Sequence, residues 1–390
     1  MSTTSSFNDL TDEQQLLRIS KEKVHDFLLA IIYLGVAMIM GVIGNAFVSY
    51  IYHYKLRPTP ANLFVVILSF CDFLASLICI PMDISILTHP YVFESDPACR
   101  VIRFFVMDLS ITSGVIVFAI SIDRFKKVCL PLKKQFSRRQ VGIISAVVII
   151  FATVLSLPSF YVYGTKHFTI PGTYLNGSIC SISEKAHKSV SSGFLILLMS
   201  ICLLLLITFS TIYCLIAIKL CRYKKQRISL GDSMKVKSVS HDDNSREMTD
   251  SNDYIKENRR IDKIQKSKAK GFTLEKETFR VRSNTQTSRR EPTSFMNMTR
   301  TTLIMFFVTL TWVLSYIPHL ASVLILSRKP EFKETLNPTN SALFEIALRS
   351  FYLNNMINPF IYGIFNFRFR NEVVVLLRKT FCCLKLKPSS

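Results

Sequence analysis

Seven mostly apolar stretches recur along the chain, at 27–52, 62–88, 102–125, 141–163, 190–219, 300–327 and 341–365. Each is long enough, at about 20 residues or more, to cross a bilayer core of about 30 Å as a helix. Spans five and six are the clearest. Span three carries Arg103 and Asp108, so a strict hydropathy threshold is expected to miss it. The predicted fold class is an all-α membrane protein. Between spans four and five, β-branched and aromatic residues surround Pro171-Gly172 and Asn176-Gly177, which predicts a hairpin near 164–183. Residues 1–26 are polar and mixed in charge, with no basic-then-apolar leader, and are expected to be a flexible tail. Residues 220–299 are rich in Lys, Arg, Ser and Asp and poor in aromatics, the composition of a disordered loop.

Charge gives the helices a direction. The 48 Lys and Arg outnumber the 27 Asp and Glu, a net charge of +21. In a soluble protein that excess would point to nucleic acid. Here it gathers in alternate connections: Lys55 and Arg57 after span one, then Lys126, Lys127, Lys133, Lys134, Arg138 and Arg139 after span three, then 220–299 and the tail. That is the positive-inside pattern, and it predicts an outer N-terminus, a cytosolic C-terminus and no nucleic-acid partner. Of ten cysteines, only Cys99 and Cys180 fall in the predicted oxidising compartment, and two is the number one bridge needs. Asn176-Gly177-Ser178 is a glycosylation acceptor on that side, whereas Asn297-Met298-Thr299 lies on the wrong one. Cys382-Cys383 follows a basic amphipathic stretch, the setting of palmitoylation.

Polar groups inside the spans are the candidate chemistry, because each is costly in hydrocarbon and must face other helices. Span one carries Asn45. Span two carries Asp72, a lone carboxylate that insertion scales price at about 2.5–3.5 kcal/mol. In span seven, Asn354 and Asn358 are four residues apart and share a helix face. Pro359 follows and removes a backbone donor, which leaves a carbonyl one turn earlier without its partner.

Asn358-Pro359-Phe360-Ile361-Tyr362, followed by Phe365 and Phe369 among basic residues, resembles the seventh helix and following short helix of rhodopsin-like G-protein-coupled receptors. Asp123-Arg124-Phe125, twenty-five residues on from Cys99 to Arg124, resembles the Asp-Arg-Tyr motif of the same family. The resemblance implies a seven-transmembrane helix bundle with a short amphipathic cytosolic helix after span seven, in the plasma membrane. Its organisation would be an outer tail at 1–26, spans one to five within 27–219, the 220–299 loop, spans six and seven within 300–365, and a helix and tail at 366–390.

Site roles come with the resemblance. Asp72, Ser113, Asn354 and Asn358, with Asn45 beside them, match the family's hydrated sodium pocket, so a sodium ion is the expected modulator and no other cofactor is expected. Asp123, Arg124, Tyr213, Asn358, Pro359 and Tyr362 match the switch that couples to a heterotrimeric G protein, with arrestin and receptor kinases as further partners. Low on span six, Met298, Arg300 and Thr302 offer no acid to hold Arg124, so a weakly latched resting state is expected. Registering span six on Pro318 puts Tyr316 at the family's switch position and Trp312 where a phenylalanine normally stands. Departures are Phe125 for tyrosine, Val148 for the usual tryptophan of span four and Leu205 for the proline of span five.

At the ligand end, Val106 stands where amine receptors carry a carboxylate, which argues against an amine. Asp83, Arg103, His319, Glu345 and Arg349 place both charge signs there and suit a peptide with several anchor points. A lipid or other small non-amine ligand is the alternative. No metalloprotease, phosphate-loop or Gly-x-Ser-x-Gly signature is present, so no enzyme is expected. A transporter or channel would show internal repeats or further intramembrane charges, and neither is found.

Overall fold

The computed structural model describes residues 11–170, 172–242 and 291–385, with side chains for 11–170, 172–226, 300–329 and 332–379. The apolar runs form helices, and polar caps set where several begin. Thr59 caps the helix Pro60–Leu74, accepting from Asn62 N with Pro60 at the first position. Ser137 and Gln140 form a reciprocal capping box at Arg138–Ser156. Asn337 caps Pro338–Leu348. In each case a side-chain oxygen satisfies one of the backbone donors that a helix start leaves free.

Six helical stretches are long and apolar enough to cross a membrane: Leu28–Lys55, Pro60–Thr88, Asp96–Cys129, Arg138–Val162, Lys188–Gln226 and Arg300–Arg328. Span three passes this test, contrary to the sequence expectation, because its flanking apolar residues outweigh Arg103 and Asp108. Span seven is the one that fails it. Its helix is cut into Pro338–Leu348 and Tyr352–Phe365, and neither piece is long enough alone. Spans one and two each carry a π turn, at Ile51–Lys55 and Ala75–Cys79.

A second correction lies at the start of the chain. Residues Asp12–Asp26 form a helix, not a flexible tail. A Thr11–Gln14 capping box starts it, and Gln15 and Ser20 are buried. The hairpin is present as β1, Tyr163–Thr169, paired antiparallel with β2, Asn176–Ile182, in register Thr165 to Cys180. Cys180 is disulfide-bonded to Cys99 at the start of span three. The backbone of Tyr91–Phe93 joins the other edge of β2, with Ser178 N donating to Tyr91 O at 2.8 Å and Phe93 N to Ser178 O at 3.1 Å.

The chain divides into two compact units, Met1–Ile216 with Asn297–Ser390, and Ala217–Met296. In the second unit the helix of span five continues to Asp242 and that of span six starts at Glu291. The first unit has two apolar clusters. One, toward the hairpin, gathers Phe27, Leu34, Ile80, Ile102, Val106 and Phe351. The other, toward the tail, gathers Val48, Phe64, Ile116, Val308, Trp312 and Tyr362. Large aliphatics such as Ile150, Ile196, Leu204 and Ile207 are exposed, as lipid-facing side chains must be. Phe367–Lys385 forms the predicted amphipathic helix, capped by Asn366 and anchored by buried Phe369.

Candidate functional site

Span seven positions the polar layer between the two apolar clusters. Pro359 has no N–H, so the carbonyl of Asn355 loses its helical partner. Asn45 of span one supplies the replacement: its Nδ2 donates to Asn355 O at 2.7 Å and to Gly41 O at 2.9 Å. Spans one and seven meet this closely because Gly44 faces the proline. A methyl group there would stand 2.6 Å from Pro359 Cγ.

Asp72 lies at the centre of this layer and is fully buried. Asn358 Nδ2 donates to its Oδ2 at 2.7 Å and Ser113 Oγ to its Oδ1 at 3.3 Å. Asn354 Nδ2 donates to Ser113 Oγ at 3.3 Å. Four of the predicted residues are therefore one connected set, and Asn45 sits on the adjacent carbonyl. Among the described residues no Lys, Arg or His forms an ion pair with Asp72. Oδ1 of Asn45, Asn354 and Asn358 and Oγ of Ser69 are buried oxygens without a hydrogen-bond partner. One carboxylate ringed by neutral oxygens is the donor set a hard monovalent cation takes.

Span six carries the aromatic pair. Trp312 is buried and stacks on Tyr316 with ring centroids 4.2 Å apart, while Phe209 of span five meets it edge-on at 5.2 Å. Gly114 of span three makes room for the indole, since a methyl there would lie 2.9 Å from its Cζ2.

At the tail end, Asp123 is buried and held by Arg124 and by Lys127 Nζ at 2.9 Å. The structure does not hydrogen-bond Arg124 to Tyr213 or Tyr362. Tyr213 OH lies 3.0 Å from both Met305 O and Thr309 Oγ1, and Thr309 Oγ1 lies 3.4 Å from Ser121 Oγ. Hydroxyls thus tie span six to spans three and five about two turns along the helix from the Met298, Arg300 and Thr302 region that offers no acid. Tyr362 is fully buried beside Tyr52, at 5.4 Å between centroids, with its hydroxyl unpartnered.

At the hairpin end the charged candidates form a network. Arg349 pairs with Glu345, and its Nε lies 3.8 Å from Asp83. Lys333 Nζ reaches Glu345 at 2.7 Å, Arg103 lies 3.9 Å from Asp83, and Tyr352 OH donates to Asp83 at 2.9 Å. This network sits at the break in span seven. There, backbone bonds run to the third residue back, as in Arg349 N to Ile346 O and Tyr352 N to Arg349 O, both 3.1 Å. Side chains also meet carbonyls at the break: His319 Nδ1 is 2.6 Å from Leu348 O, and Tyr33 OH donates at 3.2 Å to Arg349 O beside the Tyr352 N–H. Val106 is buried in the apolar cluster nearby. At the outer start of span three, Asp96 accepts from Thr165 N at 2.9 Å and from Arg100 Nε at 2.8 Å.

Sequence reasoning missed Tyr33, Lys333 and Tyr352, and also Ser121 and Thr309. It noted Asp108 but not its acceptance of Thr153 Oγ1 at 3.1 Å. Asn176 is exposed on β2, and its Oδ1 accepts from Thr169 Oγ1 at 3.1 Å. The side chains of Cys382, Cys383 and Met298, and most of 220–299, lie outside the described residues.

Residues 44–362 match the family model "7 transmembrane receptor (rhodopsin family)". The chain is 29% identical over 145 residues to nematocin receptor 2 of Caenorhabditis elegans, covering 35% of this chain and 36% of that receptor. To mouse neuromedin-U receptor 1 it is 24% identical over 234 residues, covering 58% of this chain and 54% of that receptor. The matched region thus spans about a third to about half of these receptors' lengths. The crystal structure of squid rhodopsin superposes with a TM-score of 0.60 at 19% identity, over 92% of this chain and 87% of that one, which establishes the shared fold. With the asparagine–proline turn, the buried Asp72 and the Cys99–Cys180 bridge in place, the family match assigns this multi-pass membrane chain to the seven-transmembrane receptors of the rhodopsin family, which are signalling receptors and not enzymes.

Proposed function

We propose that this chain is a plasma-membrane receptor that binds an extracellular peptide at its hairpin end and activates a heterotrimeric G protein at its tail end. The observation that carries the peptide reading is the network beneath the hairpin in which buried Asp83, Glu345 and Arg349 are joined by the partly exposed Arg103 and Lys333. A ligand with several polar groups can exchange partners with such a network at several points. The neuropeptide-type receptors among its relatives support the same reading. The basic residues that follow spans one and three support a cytosolic tail end.

Mechanism follows from what holds span six. A ligand shifts the resting–active balance only by its differential affinity for the two states. Tyr316 stacks on Trp312 and lies 6.1 Å from Phe351 at the span-seven break, so movement of the charged network reaches the aromatic pair through direct packing. Outward movement of span six would then separate Thr309 from Tyr213 and Ser121 and expose the Arg124 end to a G protein. Asp72, Ser113, Asn354 and Asn358 would hold a sodium ion, with Asn45 behind them, and the ion would supply the charge that Asp72 lacks. Glycosylation at Asn176 and palmitoylation at Cys382 and Cys383 belong to the same proposal.

A peptide-library screen on cells carrying the receptor, read by calcium and cyclic AMP, tests this function. The expected result is one peptide class with saturable responses that untransfected cells lack. Silence to peptides with responses to lipids would overturn the peptide assignment while leaving the receptor assignment in place.

A further inference from the structure

The charges at the hairpin end do not balance. Three cations, Arg103, Lys333 and Arg349, face two anions, Asp83 and Glu345. Glu345 is taken by Lys333 and Arg349 at hydrogen-bond distance. Asp83 receives the Tyr352 hydroxyl and has Arg349 and Arg103 only at 3.8 and 3.9 Å. The surplus positive charge therefore falls on Arg103. Its one ion-pair contact among the described residues is that 3.9 Å approach, and its Nε is buried with no hydrogen-bond partner. The carboxylate five residues on, Asp108, is turned to Thr153 of span four instead.

Of the three cations, Lys333 is the most exposed, its side chain keeping 40%, but its Nζ is already spent on Glu345 at 2.7 Å. Arg103 is the reachable cation without such a partner: its side chain keeps 24% of its exposure, against 8% for Arg349. Tyr163, the first residue of the disulfide-tied hairpin, lies with its ring 5.7 Å from the guanidinium carbon. A ring on the face of a guanidinium leaves its edge for hydrogen bonding, and that edge is a planar fork matched to a carboxylate.

We propose that Arg103, backed by Tyr163, is an anion-binding subsite whose ligand group is a carboxylate, supplied either by a peptide's free C-terminus or by an Asp or Glu side chain. The subsite deepens the peptide reading above and rests on it for its biological ligand. Carboxylate binding itself is measurable without that reading. An incoming carboxylate makes two N–H···O bonds to the fork and neutralises the surplus charge. It also weakens the claim of Arg103 on Asp83, leaving Asp83 to Arg349 and Tyr352 at the span-seven break.

The test uses the full chain purified in nanodiscs and melts followed by fluorescence of Trp312, the single tryptophan. Probes are N-acetyl-phenylalanine as the free acid (the terminus), N-acetyl-glutamate amide (the side chain) and N-acetyl-phenylalanine amide (the neutral control), at equal concentration and ionic strength. At about ten times its dissociation constant, the preferred acid is expected to raise the melting midpoint by about 2 °C or more over the amide. Arg103→Gln should abolish the difference and Arg103→Lys should retain only part of it, since an ammonium lacks the fork. The acid that gives the larger shift identifies the source of the carboxylate. Equal midpoints for acids and amide, or an acid shift that survives in Arg103→Gln, would overturn the subsite. A correctly folded Arg103→Gln protein is recognised by a single cooperative melt with the amide, whatever its midpoint, and each acid is compared with the amide on the same variant. Arg103-dependent acid binding beside a silent peptide screen would remove only the peptide reading.

Discussion

Two buried carboxylates on span two meet the same problem in opposite ways. Asp72 and Asp83 stand eleven residues apart, about three turns of helix, and both are almost wholly buried. Asp83 is answered by the protein's own cations, with Arg349 and Arg103 at 3.8 and 3.9 Å and a tyrosine hydroxyl at 2.9 Å. Asp72 is answered only by neutral groups, one asparagine amide and one serine hydroxyl. The first arrangement answers its carboxylates with internal cations, so removing a shared cation strands charge inside the protein. The second leaves one charge without an internal counter-charge, and on the proposed function the solution supplies it as sodium. The contrast separates a carboxylate answered by internal cations from one answered by neutral groups, the latter being the one proposed to take sodium, on a single span.

The contrast breaks most sharply at Arg349. Arg349→Met leaves two buried acids short of their shared cation and should cost about 3–5 kcal/mol, the usual penalty for breaking one side of a buried pair. Surface expression and melting midpoint should both fall, and adding Glu345→Gln should recover a substantial part. A single mutant that melts with the unmodified receptor would show that the network carries no stability.

Asn45→Ala tests the neutral layer. It strands the Asn355 carbonyl that Pro359 has already deprived of its partner, a loss of about 1–3 kcal/mol. The same substitution in a variant with Pro359→Ala should cost less, because the restored N–H reclaims that carbonyl. Additive losses in the double mutant would refute the link between the two residues.

Asp72→Asn should behave unlike Arg349→Met. It removes a lone charge with no cationic partner, so folding should be unharmed or improved, while the sodium dependence of the midpoint disappears. Sodium at ten times its dissociation constant should stabilise the unmodified receptor by about 1.4 kcal/mol relative to a matched large cation. If sodium and the large cation give identical midpoints before mutation, the polar layer binds no ion.

The smallest expected effect lies beyond both carboxylates, where span six is held by hydroxyls. Thr309→Val removes one contact to Tyr213 and one to Ser121, about 1 kcal/mol of hydrogen bonding. If those contacts exist only in the resting state, ligand-free signalling should rise about fivefold at matched surface expression. Unchanged basal signalling would place the restraint on span six elsewhere.

Much of the fold was legible because its causes are local. Runs of apolar residues specify spanning helices, Thr59-Pro60 and Ser137 through Gln140 specify helix starts, and Pro359 specifies a carbonyl in need of a partner. Asp72, Ser113, Asn354 and Asn358 could be named together from their motifs, and the helices bring them together. Other features were not legible. Nothing near Arg349–Phe351 in the sequence marks a helix break, because the side chains that meet the carbonyls there, Tyr33 and His319, come from spans one and six. The charged candidates at the hairpin end read as scattered, yet Tyr352 and Asp83 meet across 269 residues of chain. Local sequence determined which segments cross the membrane and which buried groups need a partner. Only the packing of the helices decided which partner each received, because hydrogen bonds and ion pairs act over a few ångströms and depend on which helix faces meet.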